Sequence, residues 1–187
     1  MSGRALRHRG RATTVKPVAW LDALPHWPDG TAAWLVTYGG VSPQRPAEAS
    51  ADEPLAGTDP ARARPPVVWP HAIPVSTALR TGPRSVVLAL GRRRGSLARL
   101  RDDPHVALAV IAPGVAFTAQ GLATVTADPL PGAERVTAVT IAVARIQDHD
   151  HATFAIDDGP GWHWTDDDAR QADAATRAAL QTLAQRA

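Results

Sequence analysis

The chain has 187 residues, which is enough for one domain with additional segments, and its 20 basic and 18 acidic residues leave a net charge of only +2. It has no cysteine, which excludes disulfides, thiolate metal sites and a cysteine nucleophile. The near-balanced charge argues against nucleic-acid binding, and no apolar run reaches the ~20 residues of a membrane helix. Since no secretory signal is apparent either, we expect a soluble cytoplasmic protein. Lys16 is the only lysine among many arginines and alanines, a coding bias typical of GC-rich bacteria.

Two segments have compositions that do not favour a packed structure. Residues 1–17 contain several arginines, Lys16 and no acid, and we interpret them as a disordered basic tail. Residues 42–66 are rich in Pro, Ala, Glu and Arg with almost no large apolar side chain, so burial could not offset the entropy lost on ordering. We therefore predict one domain over residues 18–187, with a flexible insertion at 42–66.

The first predicted elements are a short amphipathic helix or turn at residues 18–28 and a strand at 31–38. Further strands are predicted where apolar residues alternate or form short runs between turn residues. They span residues 71–79, 85–90, 105–111, 117–127 and 136–146, with two short candidates at 154–156 and 162–164. Such consecutive antiparallel strands predict a small barrel, because closure removes exposed strand edges.

Two helices are predicted beside the strands. The first covers residues 97–102, with Ser96 as its N-cap. The second covers residues 165–186 at the end of the chain, where Thr165 and Asp168 resemble a capping box.

The basic turn before the first helix is a candidate phosphate site. Arg92, Arg93 and Arg94 precede Ser96, and a helix start with guanidinium groups beside it attracts anions. A solvated basic turn is the alternative explanation.

Residues on two predicted strands are further candidates for contact with a ligand. Pro74 lacks the N–H that a central strand needs, so its strand lies at an edge or faces a ligand. Gln120 precedes Gly121, and a glycine inside a strand marks either a bulge, a close approach of a ligand or a site that needs a small residue. Asp148, His149 and His151 could bind a metal, but a surface turn is the favoured explanation, so we predict no metal site.

Four segments in the same order resemble the pyridoxamine 5′-phosphate oxidase-like family of flavin- and deazaflavin-binding split barrels. They are PHAIPVSTAL, SVVLALGRRRGSLARLRDDPHVALAV, FTAQGLATV and FAIDDGPGWHWTDDDAR. The resemblance implies a mainly β fold with flanking helices, a six-stranded antiparallel split β-barrel of the FMN-binding type. It also implies a homodimer with the cofactor at the interface.

The resemblance also implies which residues bind the cofactor. Those expected to line the flavin ring are Pro74, Val75, Ser76, Thr77 and Gln120. Those expected at its phosphate are Arg92, Arg93, Arg94 and Ser96, and either Trp162 or Trp164, with Trp164 preferred, could contact the partner subunit's cofactor. Relatives often have Lys and Asn where this chain has Ser96 and Arg99, so the phosphate grip differs here.

The resemblance implies an FMN-dependent oxidoreductase acting on an unknown small molecule. No catalytic side chain is predicted, because the cofactor itself supplies the hydride chemistry. The alternatives are a reductase that uses the deazaflavin F420 and a non-enzymatic flavin- or haem-binding protein.

Overall fold

One antiparallel sheet and two helices make up the chain in a computed structural model that describes residues 19–39, 69–149 and 156–186. The strands are β1 (Ala19–Trp20), β2 (Ala33–Thr37), β3 (His71–Val75), β4 (Leu79–Gly82), β5 (Ser85–Gly91), β6 (His105–Ala112), β7 (Val115–Ala127) and β8 (Val136–Asp148). The helices are α1 (Gly95–Asp102) and α2 (Asp167–Ala184). Within the described ranges, neither helix is long and apolar enough to span a membrane. The predicted tail at 1–17 and insertion at 42–66 lie outside the described residues.

The strand order explains how the sheet closes. Hydrogen-bonded neighbours follow the order β3-β2-β6-β7-β8-β5-β4, with β1 paired to β8, so β3 and β4 are the two edges. Residues 76–78 connect these edges directly. Within this connection, the Thr77 hydroxyl donates to the Ala89 carbonyl oxygen at 3.3 Å and accepts from the Ala89 N–H at 3.1 Å. The connection is thereby held against β5, and the sheet curves into a barrel without two distant open edges.

The predicted fold class is confirmed, but the predicted number of six strands is wrong. The sheet has eight strands. The two-residue β1 and the four-residue β4 are too short to show the period-two pattern from which strands were predicted.

The apolar core has two parts. The larger cluster fills the barrel and includes the fully buried Phe117, Leu35 and Leu108. A smaller cluster lies between the sheet and α2, where Leu180 packs with Leu79, Val87, Leu130 and Ala138. Both faces of β5 are therefore covered, which explains why its sequence is a continuous apolar run instead of an alternating one.

Two local predictions differ from the structure. Of the helix or turn predicted at residues 18–28, the helix is absent from the described residues 19–28, which contain β1 and a loop from which Leu24 and Trp27 enter the barrel core. Residues 162–164 form no strand. Phe154, in the other short candidate, lies outside the described residues. The hairpin between β4 and β5 turns at Pro83 and Arg84.

Both predicted helix caps are also wrong by one or two residues. Arg94 occupies the N-cap position of α1 and makes no side-chain capping bond. Ser96 instead lies in the first turn, 2% exposed. At α2, the Asp166 carboxylate accepts the Ala169 N–H at 2.8 Å, so Asp166 and not Thr165 caps the helix.

Candidate functional site

A groove of about 640 Å³ runs between the barrel and α2, and we call it the α2 groove. Its walls are residues 73–77, the end of β5, the turn before β8 and the first half of α2. Most of its lining residues are apolar, and several of these are small, among them Ala89, Ala133 and Ala172. Small side chains on both the sheet and the helix fill little of the space between them and leave room for a flat apolar ligand.

Six of the ten predicted cofactor residues line the α2 groove. They are Pro74, Val75, Ser76, Thr77, Arg94 and Trp164. Pro74 lies on the edge strand β3, as its missing N–H predicts, and it is exposed. The topology brings these residues together because the connection between β3 and β4 passes the end of β5, which leads directly to Arg94.

The three arginines of the basic turn do not act as one group. The Arg92 Nε lies 2.9 Å from Asp128 Oδ1, and the Arg101 Nη2 lies 2.8 Å from Asp128 Oδ2. Arg94 instead lays its aliphatic stem near Gly91, where a Cβ would be 3.3 Å from Arg94 Cγ, and lines the α2 groove. Arg93 is exposed and does not line the groove.

Asp128 is the anchor of this turn. The Thr137 hydroxyl donates to its Oδ1 at 2.9 Å. The hydrogen bond from Thr137, followed by the hydrogen bond and charge of Arg92, lowers the pKa of Asp128 against the opposing effect of desolvation. The carboxylate is therefore ionised at neutral pH and holds Arg92 to the β7–β8 turn.

Ser96 and Gln120 lie elsewhere. Ser96 is buried in the first turn of α1 and is not among the residues that line the α2 groove. Gln120 is exposed on the outer face of the sheet, where it lines a second groove of about 490 Å³ that we call the sheet groove. Tyr38, Leu122 and Arg145 also line this sheet groove.

Gly121, next to Gln120, has a structural explanation. The pairing of β7 with β8 shifts between these two residues, which marks a β-bulge. A Cβ on Gly121 would stand 2.1 Å from the Ala142 carbonyl oxygen. Of the explanations for Gly121 that the sequence leaves open, the structure supports a β-bulge at which only glycine fits.

Asp173 is a groove residue that the sequence analysis missed. It lies on α2, is 7% exposed and accepts the Ser76 hydroxyl on Oδ1 at 2.9 Å. Its Oδ2 makes no hydrogen bond of good geometry but lies 2.6 Å from Arg177 Nη2, so the contact is an ion pair. Because Asp173 sits among alanines on the buried face of α2, its partner Arg177 at i+4 is the only signal that sequence could have offered.

Two tryptophans stand beside the start of α2. Trp162 and Trp164 pack edge to face with ring centroids 5.1 Å apart, and each is 39% exposed. The Trp162 indole N–H donates to the Gly30 carbonyl oxygen at 3.1 Å, while Trp164 lines the α2 groove. The pair thus places an aromatic surface, partly open to solvent, on the groove wall.

The histidine run gives no metal centre within the described ranges. The His149 ring lies 2.7 Å from the Thr118 hydroxyl, while Asp150 and His151 lie outside the described residues. No group of three or more metal-ligating side chains occurs in the part of the chain that the structure describes.

Comparison with known proteins yields similarity to solved structures alone. No protein-family model matches the chain, and no curated protein matches it. A "Putative Pyridoxamine 5'-phosphate oxidase" from Listeria innocua is 14% identical with a TM-score of 0.41, over 65% of this chain and 90% of that one. A second structure with the same description, from Lactobacillus delbrueckii, is 11% identical with a TM-score of 0.41, over 62% and 83% of the two chains.

Proposed function

We propose that the protein binds FMN in the α2 groove and acts as a flavin-dependent oxidoreductase on a small molecule. The observation that supports this most directly is that one groove is lined by residues 74–77 together with Arg94 and Trp164. The family resemblance implies that residues 74–77 contact the ring and that Arg94 contacts the phosphate, whereas it implies contact of Trp164 with the partner subunit's cofactor.

The residues present fit such a cofactor. A volume of about 640 Å³ lies within the range of roughly 300–1,000 Å³ of small-molecule sites. Ala89, Ala133 and Ala172 offer apolar walls for a planar ring. Arg94 offers a guanidinium fork suited to a phosphate, whereas Glu134 and Arg135, which also line the groove, offset each other in charge.

When bound, the flavin would supply the hydride transfer, and the chain would supply binding and orientation. Residues 74–77 would hold the ring on one side. Arg94 would fix the phosphate, and Trp164 would shield the groove from solvent. No side chain of the groove is assigned as an acid or base.

We also propose that the protein is a homodimer, with the sheet groove as part of the interface. Leu122 is 46% exposed and Tyr38 is 36% exposed beside Ala107 and Ala144, which leaves an apolar strip on the outer face of the sheet. Exposed apolar patches of this kind mark interaction surfaces. The predicted role of Gln120 requires this face to meet the partner's groove, and light scattering of wild-type and L122R protein would test it.

A haem-binding function has less support. Histidine is the commonest protein ligand of haem iron, and none of the described residues that line the α2 groove is a histidine. F420 and FMN share the ring and phosphate features that the groove suits, so a titration with each cofactor distinguishes them.

The decisive experiment is a titration of the full chain with FMN, followed by flavin fluorescence and visible absorption. We expect R94A to weaken FMN binding by about 10- to 150-fold, the loss of one charge-assisted hydrogen bond of roughly 1.5–3 kcal/mol. R93A is the matched control, since Arg93 belongs to the same turn but does not line the groove.

Riboflavin, which has no phosphate, should bind wild type and R94A equally. Failure of the wild-type chain to bind FMN would refute the proposal. Equal FMN affinity in R94A and R93A would refute the phosphate assignment alone.

A further inference from the structure

We propose that Ser76 Oγ is a fixed hydrogen-bond acceptor in the α2 groove, held in that role by Asp173, so that the groove selects a ring ligand with an N–H donor at its edge. This inference rests on the proposed function, because it assigns the polarity of the same groove. Ser76 would contact the ligand, and Asp173 would be a positioning residue.

The hydrogen bond between the two residues sets this polarity. A serine hydroxyl has one proton to donate and two lone pairs that accept. The Ser76 proton points to Asp173 Oδ1 at 2.9 Å. Since Ser76 is only partly buried and lines the groove, its oxygen can present lone pairs to a ligand but has no proton left to offer.

Arg177 keeps this arrangement in place. Its Nη2 lies 2.6 Å from Asp173 Oδ2, and the Asp173 side chain is only 5% exposed. In this ion pair Asp173 faces Ser76 as a carboxylate, whose oxygens accept hydrogen bonds and donate none. Arg177 also lies against Gly30, where a Cβ would be 2.7 Å from Arg177 Nη1, so the guanidinium occupies the space beside this glycine.

The neighbouring hydroxyl of Thr77 offers no competing donor to a ligand. Thr77 Oγ1 both donates to and accepts from the backbone of Ala89. Its proton is therefore also committed. The polar side-chain atoms of residues 76 and 77 and of Asp173 thus offer only acceptors to whatever occupies the groove.

The ligand that fits is a planar heterocycle with an N–H at its edge. The oxidised isoalloxazine ring has one such group, at N3. A ring that offers only acceptors at its edge would leave the Ser76 lone pairs without a partner, which costs affinity when water is displaced.

The test compares FMN with N3-methyl-FMN on the full chain, by flavin fluorescence. We expect wild-type protein to bind FMN at least about tenfold more tightly than the methylated analogue. In S76A and in D173N this preference should shrink to about twofold or less, mostly through weaker FMN binding. The conservative variant S76T keeps the hydroxyl and should keep the preference.

D168N is the matched control, since Asp168 is an exposed carboxylate on the same helix and does not line the groove. Equal binding of the two flavins by wild type would overturn the inference and leave the proposed function standing. The same holds if S76A and D173N, shown to be folded by circular dichroism, weaken both flavins equally. If S76A does not fold, D173N carries the comparison. No FMN binding by wild type would overturn both proposals.

Discussion

Replacing Gly121 with alanine should destabilise the barrel without touching the α2 groove. A Cβ at this position would lie 2.1 Å from the Ala142 carbonyl oxygen, 2.9 Å from the Ala142 carbonyl carbon and 3.0 Å from the Val143 Cα. All three atoms are backbone of β8, the strand that pairs with β7, β5 and β1. No side chain can rotate away, so the two central strands must separate or the bulge must rearrange.

The size of the effect follows from the geometry. Overpacking a well-packed site costs typically about 1–3 kcal/mol, and a clash with the backbone of a paired strand belongs at the upper end. For a chain of this length, each kcal/mol lowers Tm by about 2–4 °C. We therefore expect G121A to unfold about 6–12 °C below wild type.

Thermal unfolding followed by circular dichroism measures this, and G161A is the control. An added Cβ at Gly161 has no heavy atom within 4 Å, so its alanine variant should be neutral or slightly more stable, by about 0.4–1 kcal/mol. A G121A protein with the Tm of wild type would refute the close approach of the two strands. An equal drop in both variants would instead point to a general cost of replacing glycine.

Two further predictions concern α2 and the basic turn. L180A should lower the free energy of unfolding by about 2–5 kcal/mol, because Leu180 is fully buried between α2 and the sheet. L183A, at a partly exposed position, should lower it less. Equal decreases in urea unfolding would contradict the packing described. T137V should raise the pKa of Asp128, because the hydrogen bond from Thr137 is the largest of the effects that lower it. A carboxyl group whose pKa is lowered in the folded state stabilises the fold at pH values above its ordinary pKa of 3.8, and this stabilisation is lost as the pH falls through the folded-state pKa. T137V should therefore be less stable than wild type at pH 7, and the difference should shrink in acid. A difference in Tm that does not change with pH would show that Asp128 titration has no part in it.

The long strands could be predicted from the sequence because one face of each meets the barrel core. The predicted strands at 117–127 and 136–146 differ from Val115–Ala127 and Val136–Asp148 by two residues at one end. Their alternation is a direct record of burial, as with Val139, Ile141 and Val143. Residues 162–164 also alternate, but they pack as an aromatic pair against the loop at Gly30, and no neighbouring strand exists there within the described residues.

The candidate site was only partly predictable, because its polar contacts join residues far apart in the chain. Ser76 and Asp173 are 97 positions apart, and nothing near either residue indicates the other. The buried Asp173 reads in sequence as one more solvated acid on a helix. Residues 74–77 could be identified because the proline at an edge strand is a local signal, visible without knowledge of the rest of the fold.

The basic turn shows why a run of like charges does not equal a binding site. Three adjacent arginines suggest a concentrated positive field, yet Asp128, 36 positions from Arg92, neutralises one of them and also draws in Arg101. The ion pair at Arg92 fixes the turn to the sheet. The turn is thereby oriented so that Arg94, two residues later, lines the α2 groove. Arg92 thus has a structural role through an ion pair, Arg93 remains exposed, and the phosphate grip proposed here falls to Arg94. The same anchoring explains how an arrangement without the lysine and asparagine of the resembled family could still present one guanidinium to the groove.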